Sequence, residues 1–449
     1  MSIYKDCDIR GVYPNEITAE EVFLIGRGLA TMHPGKILVG GDLRLSTPEL
    51  KAALMDGLLA SGAHIVDLGT IPTPALYFMM KHLDVQAGAT VTASHNPPEY
   101  NGVKFMLGST PVTRREMDTL HEIVRKRAFD EKRGTVESCD AAAMYQEFLM
   151  RRFHTSKPLH ILVDAGSGAM SRVAPAVFRK AGYRVTELYC EPDGSFPHRS
   201  PNPADYSCLG PTGEAVRAAG ADLGVAFDGD GDRAVFLDET GTPVQNEKAL
   251  VLFIRFLLRD APTPVVYDQK SSSIIRDAAI AMGGTPLPER SGHAFIKKRF
   301  LENHAAIAGE VSGHFFFGEL GYDDGLFAAL RMAELVASSG HTLGELVGDI
   351  VCPPITPDIR VACPYNEQQG WLDLAEQMAL AQGAQVNHLD GVRADYPDGW
   401  FLMRKSVTAE QVTFRAEART EKRLRELIEA VAQVLPESAC ASLKEQVQL

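Results

Sequence analysis

Two stretches of the chain set reactive groups close together. In residues 227–241, Asp228, Asp230 and Asp232 alternate with glycines between two apolar runs. Three carboxylates in five residues repel one another and lose hydration if held close. A divalent cation relieves both costs, and an all-oxygen ligand set suits magnesium. The glycines let the backbone curl so that alternate side chains converge. Calcium loops and solvated acidic turns share this pattern, but the glutamate that closes an EF-hand loop is missing. Flanking strands at 223–227 and 234–237, with Arg233 beside the last aspartate, point to a constructed metal site. Arg233 is also placed to hold a phosphate next to the metal.

The second stretch, residues 88–105, sets Ser94-His95-Asn96-Pro97 at the end of a small-residue strand, with Lys104 ten residues on. A serine hydroxyl is a weak nucleophile unless something activates it, and no G-x-S-x-G elbow is present. A nearby metal loop suggests that Ser94 carries a phosphoryl group. Phosphoserine holds close to two negative charges near pH 7, so it can ligate the metal and also be donated. His95 and Lys104 then suit proton transfer and charge neutralisation.

The elements that must position these groups repeat along the chain. Strand, helix, glycine, strand is read three times: from 36 to 68, from 159 to 188, and from 264 onward, with helices over 171–181 and 271–282. Ser46 or Thr47 is expected to cap the first helix. This order predicts βαβ units in mixed or parallel sheets. After Cys352-Pro353-Pro354 come a strand at 359–363, a helix at 368–382, strands around 400–403 and 411–414, and a charged helix from about Thr420. The expected fold is α/β: three similar mixed-sheet α/β domains at 1–154, 155–257 and 258–355, plus a smaller C-terminal α+β domain at 356–449.

A formal net charge of −13 argues against nucleic acid as a partner. The seven cysteines are scattered without a C-x-x-C pair, so neither zinc nor disulfides are expected, and a reducing cytoplasm fits. Residues 1–6 lack a signal-peptide core, and no window approaches 18 uninterrupted apolar residues, so no membrane association is expected. The sequence leaves monomer and homodimer equally open.

Thr92-Ala93-Ser94-His95-Asn96-Pro97, Asn101-Gly102-Val103-Lys104 and Asp228-Gly229-Asp230-Gly231-Asp232-Arg233 together resemble the α-D-phosphohexomutase family. The bacterial phosphomannomutase/phosphoglucomutase branch is the most similar. Asp8-Ile9-Arg10-Gly11, Asp268-Gln269-Lys270-Ser271, Gly292-His293 and Gly309-Glu310-Val311-Ser312-Gly313-His314 resemble further motifs of that family, in order along nearly the whole chain. The resemblance implies four domains around a central cleft, one loop from each. It implies transfer of the phosphoryl group of Ser94 to a hexose 1- or 6-phosphate, through a hexose 1,6-bisphosphate that also acts as activator. Ser94, Asp228, Asp230 and Asp232 would hold Mg2+, with His95, Lys104, Arg10 and Arg233 at the transfer centre. Glu310, Ser312 and His314 would read the sugar hydroxyls, their alternation being expected to aim them one way along a strand. Lys270 and His293 would add substrate contacts.

The last loop departs from the family. Arg404-Lys405-Ser406-Val407-Thr408-Ala409-Glu410 stands where R-x-S-N-T-E-P or R-x-S-G-T-E-P is usual. Arg404, Ser406 and Thr408 remain to hold the phosphate that is not transferred. Val407, Ala409 and Glu410 replace a polar or flexible residue, an acid and a proline. Cys7 stands where the family often has tyrosine. Mannose phosphate is the expected first substrate and glucose phosphate the second. A phosphoglucosamine mutase usually carries glutamine where Val311 stands. A non-catalytic sugar-phosphate binder would suit the altered loop, but it would not need Ser94, the aspartates or Lys104.

Overall fold

The computed structural model describes residues 3–155, 157–406 and 410–446. Its strands form four sheets. In the first, strands Lys36–Gly41, His64–Thr70, Ala87–Val91 and Thr135–Ser138 run parallel, and Tyr100–Leu107 then Ile9–Val12 extend it antiparallel. In the second, His160–Asp164, Arg184–Leu188 and Leu223–Phe227 are parallel, and Ala234–Leu237 returns antiparallel. The third repeats the plan: Pro264–Asp268, Thr285–Glu289 and Ile307–Gly309 are parallel, with Phe315–Phe317 and Tyr322–Asp323 antiparallel beyond. The fourth sheet is antiparallel throughout. Three mixed-sheet α/β units and a smaller C-terminal unit are thus observed, as the strand–helix–strand repeats predict.

Parallel strands covered on both faces read as continuous apolar runs. His160–Asp164 and Leu223–Phe227 are buried at every position. One apolar core continues from Leu38 and Leu76, through Val163 and Val225, to Val265 and Ile307, so the first three sheets share an interior. The C-terminal unit has its own core around Trp371, Phe401, Phe414 and Leu427. It meets the third sheet through polar groups. Glu417 accepts from Ser273 N at 3.1 Å and from Trp400 Nε1 at 3.0 Å. Arg415 donates to Lys270 O at 3.0 Å.

That contact shortens a predicted helix. The helix expected over 271–282 runs Ile274–Ala281, because Ser272 Oγ and Ser273 N are engaged by Glu417 rather than by a helical turn. The helix expected over 171–181 runs Ala174–Lys180, with Pro175 in its first turn. Neither Ser46 nor Thr47 caps helix Thr47–Ala60 through its side chain. Their hydroxyls accept from Asn101 Nδ2 at 2.8 and 3.1 Å, and Thr47 Oγ1 donates to Asp42 at 2.7 Å.

The mixed sheets share one consequence. In each, the chain turns from a parallel strand into its antiparallel partner through a hairpin, and that hairpin carries a motif. Ser94 lies between Ala87–Val91 and Tyr100–Leu107, Asp228 to Arg233 between Leu223–Phe227 and Ala234–Leu237, and Glu310 to His314 between Ile307–Gly309 and Phe315–Phe317. In the fourth sheet, the hairpin between Gly399–Lys405 and Gln411–Ala418 carries Ser406. Val407, Thr408 and Ala409 lie outside the described residues.

Asp324 ties the third unit to the linker helix Ala141–Met150. It caps helix Gly325–Ser339 by accepting from Phe327 N at 2.9 Å, and it accepts from Tyr145 Oη at 2.8 Å. Burial pushes its carboxyl up to about 7. An unfolded aspartate titrates near ~3.9, so the folded chain holds this proton more tightly. Asp324 therefore adds stability that is fully present below about pH 4 and is lost as pH rises toward about 7. Asp324→Asn is expected to flatten the fall in unfolding temperature between pH 5 and 8. A variant whose unfolding temperature falls as steeply as the parent's would show that Asp324 is charged throughout.

Candidate active site

Asp228, Asp230 and Asp232 are fully buried, and one oxygen from each lies within 4.8 Å of the others. Asp228 Oδ1 accepts from Gly231 N at 2.9 Å and Arg233 N at 3.2 Å, and its Oδ2 accepts from Ser94 Oγ at 2.9 Å. Asp230 Oδ2 accepts from Thr73 Oγ1 at 2.6 Å. Asp232 Oδ2 is paired with Lys104 Nζ. The remaining oxygens, Asp230 Oδ1 and Asp232 Oδ1, are buried without a hydrogen-bond partner. Two orphaned carboxylate oxygens among three converging acids fit a hard divalent cation. Burial and the two neighbouring aspartates push Asp228 well above the usual carboxylate range. Burial also opposes the charge of Asp232, but Lys104 and His314 hold it below that range. Desolvation likewise works against Lys104, yet Asp232 beside it holds the ammonium well above its usual pKa.

The serine hairpin touches the acidic one backbone to backbone. A Cβ on Gly229 would sit 2.5 Å from Ser94 O, so only glycine permits the approach. Ser94 is buried in the left-handed region at φ +50, a strained setting for a non-glycine residue. Arg44 holds it there. This buried guanidinium donates to Ser94 O at 2.8 Å, Asn96 O at 2.6 Å, Pro97 O at 2.6 Å and Tyr100 O at 2.9 Å. Asp42 Oδ2 lies 3.2 Å from Arg44 Nε and accepts from Thr92 Oγ1 at 2.7 Å. His95 Nδ1 is 3.4 Å from Ser94 Oγ. Burial, with the Arg233 and Arg10 charges, keeps this imidazole well below its usual pKa, hence neutral. Arg10 reaches the loop through Asn96 Oδ1 and pairs with Asp8 at 2.7 Å.

The third hairpin differs from the expected strand. Residues 310–314 form a tight turn, with Gly313 N donating to Glu310 O at 3.1 Å, so strand alternation does not aim these side chains. Glu310 and Ser312 face each other at 3.4 Å, and Glu310 accepts from Gly292 N at 3.0 Å. His314 turns toward the acidic loop. Its Nε2 accepts from Arg233 Nε at 2.9 Å, so Nδ1 carries the proton and donates to Asp323 Oδ2 at 2.8 Å. Asp323 Oδ1 accepts from His293 Nε2 at 2.9 Å. Burial opposes the charge on Asp323, but the two imidazoles hold its carboxyl well below the usual range.

The structure thus brings Ser94, His95, Lys104, Arg10, Arg233, His293, His314 and the three aspartates into one network. Lys270 and Arg404 stand apart from it. Lys270 Nζ is 3.3 Å from Asp358 Oδ2, and Arg404 Nη1 is 3.3 Å from Asp390 Oδ2. Asp390 Oδ2 also accepts from Ser291 N at 3.0 Å, joining the third and fourth units. Ser406 N donates to Gln411 O at 2.9 Å. Sequence reasoning missed Asp42 and Arg44, Thr73, Asp323 and Asp390. The available signal was a charged pair just past the carboxyl end of strand Lys36–Gly41, where sheets of this kind place their sites.

Removing the Arg44 guanidinium would strand Asp42 as a buried, unpaired charge and free four carbonyls. Arg44→Met is expected to destabilise the chain by about 3–5 kcal/mol. Denaturant unfolding checks this, and a loss well under ~1 kcal/mol would mean that the serine loop is held by other contacts.

Comparison with known proteins accounts for this arrangement. Four profiles match the chain: phosphoglucomutase/phosphomannomutase alpha/beta/alpha domain I over residues 1–131, domain II over 142–241, domain III over 245–352, and the C-terminal domain over 359–434. A Pseudomonas aeruginosa phosphomannomutase/phosphoglucomutase is 35% identical, with 94% of this chain and 93% of that protein covered. An Escherichia coli phosphomannomutase is 34% identical over 95% of this chain and 97% of its own. A crystal structure of a phosphoglucomutase/phosphomannomutase family protein from Burkholderia thailandensis superposes with a TM-score of 0.91 at 32% identity, covering 97% of each chain. With all four domain profiles in order and relatives of this identity along almost its full length, the chain belongs to the phosphoglucomutase/phosphomannomutase family and is a phosphohexomutase.

Proposed function

We propose that Ser94 carries a phosphoryl group and exchanges it with the 1- and 6-positions of a hexose phosphate, mannose phosphate first and glucose phosphate second. The observation that carries this reading is the contact of Ser94 Oγ with Asp228 at 2.9 Å, inside a buried set of acids flanked by Lys104 and Arg233. That hydroxyl already serves Asp228 as a hydrogen-bond donor. As a phosphate ester it would put its oxygens among a cation site, an ammonium and a guanidinium.

Each step balances as a displacement at phosphorus. A sugar hydroxyl attacks the phosphoserine, a new P–O bond forms as the bond to Ser94 Oγ breaks, and the hydroxyl proton passes to a nearby base. In the second half the hexose 1,6-bisphosphate, turned over in the cleft, returns its other phosphoryl group to Ser94. Such transfers depend on positioning and charge stabilisation. His95, neutral and 3.4 Å from Ser94 Oγ, suits the proton-accepting role. Lys104, Arg10 and Arg233 suit the transferring phosphate oxygens. Asp228, Asp230, Asp232 and the phosphorylated Ser94 would hold magnesium, which when bound supplies charge neutralisation at the phosphoryl group. Glu310, Ser312 and His314 would read sugar hydroxyls. Arg404, Ser406 and Thr408 would hold the phosphate that stays on the sugar, and Lys270 and His293 would add substrate contacts.

This reading divides the chain near 154, 257 and 355, with one hairpin from each unit. No helix among the described residues is long and apolar enough to cross a membrane. The cysteines of the described residues are free thiols, which supports a cytoplasmic setting.

Phosphorus NMR with magnesium, a trace of the matching 1,6-bisphosphate, and mannose, glucose or glucosamine 1-phosphate tests the substrate. Mannose 1-phosphate is expected to convert fastest. Faster conversion of glucosamine 1-phosphate would overturn the assignment. Ser94→Ala is expected to abolish turnover and to carry no phosphate by intact-mass measurement. Sustained turnover in that variant would rule out the phosphoserine route.

A further inference from the structure

The three parallel strands of the third sheet end at the same edge, where open α/β sheets bind ligands. Pro264–Asp268 leads to Lys270 and Ile307–Gly309 leads to Glu310 and Ser312. Thr285–Glu289, paired in parallel with Pro264–Asp268, leads directly to Arg290. Arg290 therefore occupies the same place on its strand as the substrate residues do on theirs.

Its surroundings are unusual for a half-buried cation. Among the described residues, no hydrogen bond or ion pair engages its guanidinium, and its Nε is buried without an acceptor. The guanidinium lies over the Phe295 ring at 3.8 Å, which holds it flat and leaves its donors free. Lys270 is matched by Asp358 and Arg404 by Asp390. Arg290 has no such carboxylate. The next residue, Ser291, donates its backbone N–H to the same Asp390 that holds Arg404, which brings the chain at Arg290 close to Arg404.

We propose that Arg290 binds the phosphate that remains on the sugar, sharing it with Arg404. A guanidinium offers two parallel donors to phosphate. This inference rests on the hexose-phosphate reading above and adds to it a contact made by this chain's own third unit.

Calorimetry on the Ser94→Ala protein, which is expected to bind without turnover, separates the two ideas. Mannose 6-phosphate and glucose 6-phosphate are titrated into that parent and into the same protein carrying Arg290→Ala or Arg290→Lys. Affinity is expected to fall about 10- to 100-fold with alanine, and by less with lysine. Inorganic phosphate should compete with the sugar phosphate in the parent and lose potency in the alanine variant. In the Ser94-containing enzyme, Arg290→Ala should raise KM with kcat largely kept, because the contact exists before and during transfer. A purely structural role would instead lower the unfolding temperature and leave the affinity of the folded protein unchanged. Unchanged affinity for both sugar phosphates overturns the Arg290 assignment and spares the hexose-phosphate reading. A parent that binds neither sugar phosphate overturns both.

Discussion

Three carboxylates buried side by side at Asp228, Asp230 and Asp232 are tolerable only because other sheets lend them partners. An unpaired buried carboxylate costs several kcal/mol, and the second sheet supplies only backbone amides and Arg233 from its own hairpin. Ser94, Thr73 and Lys104 come from the first unit, and His314 leans in from the third. Packing three sheets around one apolar core and neutralising one acidic loop are therefore a single problem. The continuity of the core from Leu38 to Ile307 keeps those partners within reach. One oxygen each on Asp230 and Asp232 is left without a hydrogen-bond partner, as a cation site would require.

Topology explains why so few residues suffice. A parallel strand delivers its successor residue to the carboxyl edge of the sheet, and an antiparallel return makes the next connection a tight hairpin at that edge. Used three times, this arrangement sends three short loops into one space. The loops share little sequence, because each does different chemistry: one carries a hydroxyl, one a set of carboxylates, one a carboxylate and an imidazole. What they share is position. The C-terminal unit, a wholly antiparallel sheet, joins the third unit through polar contacts such as Glu417 and Arg415 rather than through the common core.

The serine and acidic loops were legible in the sequence because their chemistry is local: consecutive residues, glycines at the close approach, and apolar strands on either side. The strand–helix–strand repeats were legible for the same reason. Arg44 was not, because its meaning lies in four carbonyls that follow it by 50 to 56 residues. Asp323 looks like the start of a helix cap until the fold sets two imidazoles against it. The start of helix Ile274–Ala281 depends on Glu417, more than a hundred residues away. The alternation of Glu310, Ser312 and His314 suggested a strand, but the hairpin between two three-residue strands leaves no room for one at that point. Sequence periodicity reports the elements well; it does not report which polar group an element will meet.

Four of the cations that would meet phosphate are already paired before a substrate enters. Lys104 is held by Asp232, Lys270 by Asp358, Arg404 by Asp390, and Arg10 by Asp8. At these four residues a phosphate dianion competes with carboxylates for the cation, whereas Arg290 has no carboxylate to displace. Such an exchange keeps the cations in place and avoids exposing an unpaired charge at any stage, so the site loses little order between turnovers. It also lowers net affinity, since each new contact replaces an old one of similar strength. An enzyme that must release and rebind a bisphosphate in the opposite orientation is served by that balance. A cleft that gripped phosphate only with unopposed cations would hold the bisphosphate in one orientation and stop halfway.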